Sequence, residues 1–242
     1  MKIIIIIPVF NEKNNINHLF KKIRVLNKFP ILYINDNSKD GTTKEIKKLQ
    51  KNYTNIFHIL RTNKSGIGSA HMDGLKWCYK RNYDFIISMD GDGTHDPKYI
   101  KKLINKTKSC DITISNRFLK KNSLKTWPVL RVFITSLRHF LISLFLNINF
   151  DASGAFRCIK RKNVNLKDLI LKEDEDYSYF WKSIYKLSLK YEIKEIPIDL
   201  PYRKQGHSKM KIKHILNSFL KLVFFSFKKN EFDYLKIFTL KI

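Results

Sequence analysis

Residues 83–97 read YDFIISMDGDGTHDP, and the fold turns on how that stretch is understood. Residues 85–89 are short, apolar and β-branched, the mark of a strand buried in a sheet. Asp90 and Asp92 follow at once, with Gly91 and Gly93 beside them. On an extended stretch, side chains at i and i+2 project to the same side, so the carboxylates can converge on one point. A divalent cation there would relieve their repulsion. Mg²⁺ and Mn²⁺ take oxygen ligands, commonly one or two carboxylates plus phosphate oxygens of a substrate, and the glycines would let a ligand approach the backbone closely. A calcium loop of the EF-hand type fails here, because His95 stands where it needs Gly and Lys101 where it needs Glu. A plain strand-ending turn remains as the alternative, since Asp and Gly are common turn residues.

Working outward, strands are expected at residues 2–7, 31–35, 56–61, 85–89 and 112–115. Helical stretches separate the first four, and another follows the DGDGTHDP loop. This alternation predicts an α/β fold with right-handed crossovers and a mostly parallel sheet flanked by helices. Ligands in such sheets bind beyond the carboxyl ends of the strands. The loops PVFNE, NDNSKDGT, NKSGIGSA and DGDGTHD all lie at those ends. In NKSGIGSA, Gly66 and Gly68 read as a tight turn that brings a helix N-terminus to the same edge.

After about Asn116 the pattern changes to long amphipathic segments at 127–147 and 211–228, separated by DASGAFRCIKR and by an expected strand within YEIKEIPIDL. Two readings stay open for these C-terminal amphipathic helices: packing on the sheet, or lying in an anionic headgroup layer. The apolar run beginning at Val129 is interrupted by Arg131, Arg138 and His139, and the run Ile3–Ile7 is too short for a signal peptide and stops at Pro8.

The chain has 242 residues, of which 43% are apolar, enough for one compact domain spanning 1–242. Lys and Arg exceed Asp and Glu by 47 to 21, a formal charge of +26 that favours phosphates, polyanions or an acidic membrane leaflet. Much of that excess can equally be solvated surface. Cys78, Cys110 and Cys158 fit neither a disulfide framework nor a zinc site, which points to a reducing compartment. His71, Cys78, His139 and His207 have no partner at ligand spacing and read as structural or solvated.

Taken together and in order, PVFNE, NDNSKDGT, SGIGSAHMDGL and DGDGTHD resemble the family-two inverting glycosyltransferases of GT-A (Rossmann-like) fold. SNRF, DASGAFR and EIPIDLPYRKQGHSKM narrow the likeness to the dolichyl-phosphate (polyprenyl-phosphate) mannosyltransferases, over roughly residues 3–225. The resemblance implies a nucleotide-sugar half at 1–116 and an acceptor half at 117–242. Pro8, Phe10 and Glu12 match the nucleotide loop, with Phe10 where a tyrosine is usual. Ile34 and Asp36 match the pair holding the nucleoside, Asn35 replacing an aspartate. Gly91 falls in the small slot beside the diphosphate. Asp90 and Asp92, with Thr94 as a third ligand, match the site for Mg²⁺ or Mn²⁺. Arg117 resembles the arginine at the donor and acceptor phosphates, and Arg131 with Thr135 the pair on the acceptor phosphate. Arg203 and Lys209 match a basic loop that closes over the diphosphate. Asp92, Arg117 and Arg131 are the expected catalytic groups.

The implied reaction moves a hexose, mannose from GDP-mannose, to a polyprenyl phosphate. The enzyme would be peripheral at the cytoplasmic face of an anionic membrane, with a small membrane protein as a partner and no role for nucleic acid. One departure stands out: Lys182 falls where relatives carry a glutamate. A phosphate acceptor with a second pKa near 6 is already ionised and needs no general base. A family-two enzyme acting on a sugar hydroxyl would need one, and residues 173–176 could supply it. The rival of another class, a basic module binding nucleic acid or acidic lipid, lacks the interleaved aromatic and basic residues of a stacking platform.

Overall fold

The isoleucines of β1 (Ile3–Val9) point alternately to opposite faces of a sheet that is covered on both sides. Ile3, Ile5 and Ile7 join one apolar core and Ile4 and Ile6 the other, which is why the strand can be continuously apolar. The computed structural model describes residues 1–171, 176–203 and 216–227. In chain order its elements begin β1, α1 (Lys13–Leu26), β2 (Ile31–Asn35), α2 (Thr42–Asn52), β3 (Ile56–Leu60), α3 (Ile67–Lys80) and β4 (Phe85–Ser88). A 3₁₀ turn (Pro97–Tyr99) leads into α4 (Ile100–Thr107), followed by β5 (Ile112–Asn116) and α5 (Val129–Leu146). The described chain ends with β6 (Arg157–Lys160), α6 (Leu166–Leu169), α7 (Ser178–Ser188), β7 (Ile193–Pro197) and α8 (Leu216–Phe227).

These strands form a seven-stranded sheet in the order β3-β2-β1-β4-β6-β5-β7. All pairings are parallel except those of β6, which lies antiparallel between β4 and β5. The first five strands fall where the sequence pattern puts them. The strand β6, inside the segment read as a separator, is an addition to that pattern. Both β6 and β7 come from beyond residue 116, so the two halves of the chain share one sheet. β1 runs through Pro8, two residues beyond the expected end. Ile5 donates its N–H toward β2, so the missing N–H of Pro8 faces β4, and β4 pairs with β1 only as far as Ile6–Ser88. No ladder bond is lost there.

Helix α5 is the long amphipathic segment, and only Ile142 and Leu146 in it are buried. By length and composition it could cross a membrane, with a mean hydropathy of 1.7. Its buried residues, however, sit in the core beside α7 and α8, and Arg131, Thr135 and Arg138 line a cleft. Val129, Leu130, Phe133, Phe140 and Leu144 face outward, as do Leu216, Leu220, Phe224 and Phe227 of α8.

Candidate active site

A cleft of about 650 Å³ opens where β1, β2 and β4 end, with α5 as its far wall. Pro8, Phe10 and Glu12 come from the β1 exit, Asp36 from the β2 exit, and Asp90, Gly91, Asp92, Thr94 and His95 from the β4 exit. Gly91 is glycine because a Cβ there would stand 2.7 Å from Val9 Cγ1 and 3.1 Å from the Pro8 carbonyl oxygen. The close approach is thus to β1. Gly93, at φ 77°, has the left-handed backbone that lets the loop reverse.

The reversal leaves the carboxylates in different surroundings. Asp92 Oδ1 accepts hydrogen bonds from Thr94 N at 3.0 Å and Thr94 Oγ1 at 2.7 Å. Its Oδ2 accepts from Arg203 Nη2 at 2.6 Å and Nε at 3.1 Å. Burial pushes the Asp92 carboxyl up, but Arg203 and Thr94 outweigh it and hold the group below its usual range. Arg203 Nη2 also reaches Glu12 Oε1 at 3.5 Å. Asp90 is open to the cleft, and among the described residues no hydrogen bond or ion pair reaches its carboxylate except from His95 Nε2 at 3.7 Å. Its pKa is raised, by burial first, with Asp92 adding to the shift while His95 and Arg203 oppose it.

This donor set suits a hard divalent cation. Asp90 offers an oxygen with little else to satisfy it, and Asp92 holds a cationic side chain where an ion could touch the same oxygen. Among the described residues no group of three or more His, Cys, Asp or Glu gathers as a metal cage. Asp90 and Asp92 are the pair that could hold such an ion, with room in the cleft for substrate oxygens. Thr94 hydroxyl is engaged in buttressing Asp92.

Asp36 is committed to the protein. Its Oδ1 accepts from Arg61 Nη1 at 2.7 Å and from Ser65 N, and its Oδ2 from Gly66 N. It thereby holds the turn ahead of α3, and Gly66, Ile67 and Ala70 line the cleft beside it. Ile34 does not reach the cleft: its side chain is wholly buried, packed over Gly74. β2 stays extended to Asn35 and turns only afterwards, so Ile34 faces the core while Asp36 faces the cleft. Lys64 Nζ sits 3.9 Å above the Phe10 ring, closing that corner with a cation–π contact.

The opposite wall is cationic. Arg117 donates from Nε to Asp151 Oδ2 at 2.7 Å and from its backbone N at 3.1 Å, and burial leaves it 9% exposed. Arg131 lies between the rings of Trp127 and Tyr202, at 4.7 and 5.2 Å. Arg138 stands beside them, its pKa lowered to about 10 by burial and by the neighbouring Arg117 and Arg131, so it stays charged at neutral pH. Sequence reasoning missed Arg138, Asp151 and His95, although Arg131, Thr135 and Arg138 share one helical face.

Lys182 lies away from the cleft, its ammonium 5.1 Å from the Phe225 ring. Asp176 lines the cleft but is bonded to Lys221 Nζ at 2.8 Å. Lys209, His207 and residues 173–175 lie outside the described residues. His71 and Cys78 are buried, and His139 stacks on Phe118 at 4.1 Å.

The sequence pattern of the family described as "Glycosyl transferase family 2" matches residues 4–165. An undecaprenyl-phosphate mannosyltransferase of Micrococcus luteus is 26% identical over 87% of this chain and 88% of its own length. A dolichol-phosphate mannosyltransferase of Saccharomyces cerevisiae is 26% identical over 88% and 82%. Among solved structures, glucosyl-3-phosphoglycerate synthase from Mycobacterium tuberculosis, in complex with Mn²⁺, UDP and phosphoglyceric acid, superposes with a TM-score of 0.64 at 13% identity, over 91% of this chain and 78% of its own. That likeness establishes the fold.

Proposed function

The chain belongs to glycosyl transferase family 2 and is a glycosyltransferase; from that premise we propose that it transfers mannose from GDP-mannose to a polyprenyl phosphate, with inversion at the anomeric carbon. The observation that carries the reading is the polarity of the cleft: carboxylates on the β4 side, and Arg117, Arg131 and Arg138 on the α5 side with Asp151 bound only to the first. One side suits a diphosphate held through a cation. The other suits a second, phosphate-bearing substrate.

In the step itself, an oxygen of the acceptor phosphate attacks C1 of the sugar while the bond from C1 to the diphosphate breaks. Arg131 and Arg138 hold the acceptor dianion and Arg117 bridges toward the reacting carbon. No side chain has to remove a proton, because a phosphate monoester is mostly dianionic at neutral pH. This agrees with Lys182 lying outside the cleft and with Asp176 being tied to Lys221. A divalent cation held by Asp90 and Asp92, Mg²⁺ or Mn²⁺, would neutralise charge developing on the departing diphosphate. Arg203, released from Asp92, and Lys209 would close on that diphosphate and exclude water.

Comparing polyprenyl phosphate with the free polyprenol and with soluble sugars as acceptors tests the reading. Turnover confined to the phosphate is expected. Transfer to a sugar hydroxyl, lost when residues 173–175 are neutralised, would replace it with the hydroxyl-acceptor alternative.

α5 and α8 both carry exposed apolar residues, and Leu130 and Ile134 of α5 also line the cleft that a lipid-borne phosphate would have to enter. We place the enzyme at the cytoplasmic membrane face, seated on anionic lipid through these residues and its positive charge. Flotation with anionic vesicles at low salt and its decline at high salt are expected; a protein that stays in the supernatant at low salt contradicts this placement.

A further inference from the structure

His95 is 3% exposed and stacks on Phe156, with ring centroids 4.9 Å apart and planes at 20°. Its Nδ1 accepts the backbone N–H of Asp90 at 3.0 Å. A ring nitrogen that accepts carries no proton, so the neutral ring carries its proton on Nε2. Nε2 faces Asp90 Oδ2 at 3.7 Å, and among the described residues no other hydrogen bond or ion pair reaches that carboxylate. One imidazole thus addresses both the main chain and the side chain of the same aspartate. Asp92 has Thr94 to fix it, whereas among the described residues Asp90 has only His95.

We propose that His95 is the positioning residue for Asp90: its Nδ1 pins the turn from which the carboxylate projects, and the packing on Phe156 holds the ring that does so. This rests on Asp90 being a ligand of the divalent cation. Phe156 leads directly into β6, the antiparallel strand paired with β4.

The test is Mn²⁺ binding to the full chain without nucleotide, read from the free-Mn²⁺ paramagnetic resonance signal, for wild type and for His95→Ala, His95→Asn and His95→Gln. An Asn side chain presents an acceptor where Nδ1 stands; Gln presents its polar group where Nε2 stands. Loss of a partner that orients a ligand weakens metal binding by about 10–100-fold, and that loss is expected for Ala and Gln. Asn should restore affinity to within a few-fold. Unfolding temperatures measured with chelator separate this from loss of folding, and the Asn–Gln contrast stands even if Ala folds poorly. Turnover by the Gln variant should recover as Mn²⁺ is raised, with donor KM at saturating Mn²⁺ unchanged, a split that general loosening would not give. Equal Mn²⁺ affinity for Ala and wild type overturns the proposal. So does rescue by Gln and not Asn, which would make Nε2 the active atom. If wild type binds no Mn²⁺ at all, the reading of Asp90 as a ligand falls and this inference with it.

Discussion

Replacing Arg203 with methionine should move metal affinity and nucleotide affinity in opposite directions. The guanidinium grips Asp92 Oδ2 at 2.6 and 3.1 Å, and the two side chains are 16% and 15% exposed. A divalent cation that uses this oxygen has to displace it. A hydrogen bond to a charged group is worth about 1.5–3 kcal/mol net. Because the pair opens onto the cleft and water can replace part of the contact, the lower end applies, and about 1.4 kcal/mol is a factor of ten. Arg203→Met is therefore expected to tighten Mn²⁺ binding about tenfold without nucleotide. With Mn²⁺ saturating, it should weaken GDP by a similar factor, since the diphosphate loses a charge-assisted partner. Free Mn²⁺ by paramagnetic resonance and GDP by calorimetry measure the two, at about pH 8 so that protons do not compete for the carboxylates. Metal affinity that stays level or falls in the variant would refute the displacement argument. Level metal affinity with weaker GDP would leave Arg203 as a nucleotide ligand alone.

Gly91→Ala drives a Cβ to within 2.7 Å of Val9 Cγ1, and overpacking of that kind costs about 1–3 kcal/mol, a fall in Tm of roughly 2–12 °C; an unchanged Tm would show that the loop is looser than its contacts imply. Arg138→Gln should weaken the polyprenyl phosphate about tenfold, seen as a raised acceptor KM, while GDP affinity holds; equal loss of both would place Arg138 on the donor side instead. Burial pushes the His71 imidazole down to about 3, with Arg157 and His95 contributing, whereas an unfolded chain protonates it near 6.5. Between those values the unfolded state binds more protons, so stability falls as pH drops below about 6.5, by at most ~1.4 kcal/mol per pH unit from this group. Urea unfolding between about pH 6.5 and 5 should show a shallower pH slope for His71→Gln than for wild type; parallel slopes would contradict a buried, uncharged His71.

What the sequence revealed depended on how local the signal was. The first five strands were legible because each is a short β-branched run whose burial shows in composition alone. The strand β6 was not, since RCIK is brief and opens on an arginine. Arg157 is buried there only because the carbonyls of Ala152, Gly154 and Phe180 and the hydroxyl of Ser183 receive its N–H groups, contacts that no periodicity announces. Asp90 and Asp92 both reach the cleft, but through a turn at residues 91–92 and not along the extended stretch that their spacing implied. The unlike surroundings of the two were not legible either, because Arg203 arrives from 111 residues away. Asp151 was passed over for the same reason: it meets Arg117 across 34 residues. Arg138 is a different case, since its spacing from Arg131 already put both on one helical face. Ile34 was placed beside Asp36 by the family resemblance alone, and it stays in the core because the strand ends between the two.

The most direct test of the cleft as a site joining a sugar nucleotide to a lipid phosphate is to follow the anomeric proton by NMR while the enzyme acts on GDP-α-mannose, Mn²⁺ and a polyprenyl phosphate. The account predicts a β-linked mannosyl phospholipid, with one GDP released for each mannose transferred. A folded protein that forms no glycolipid, or one that retains the α configuration, would contradict it.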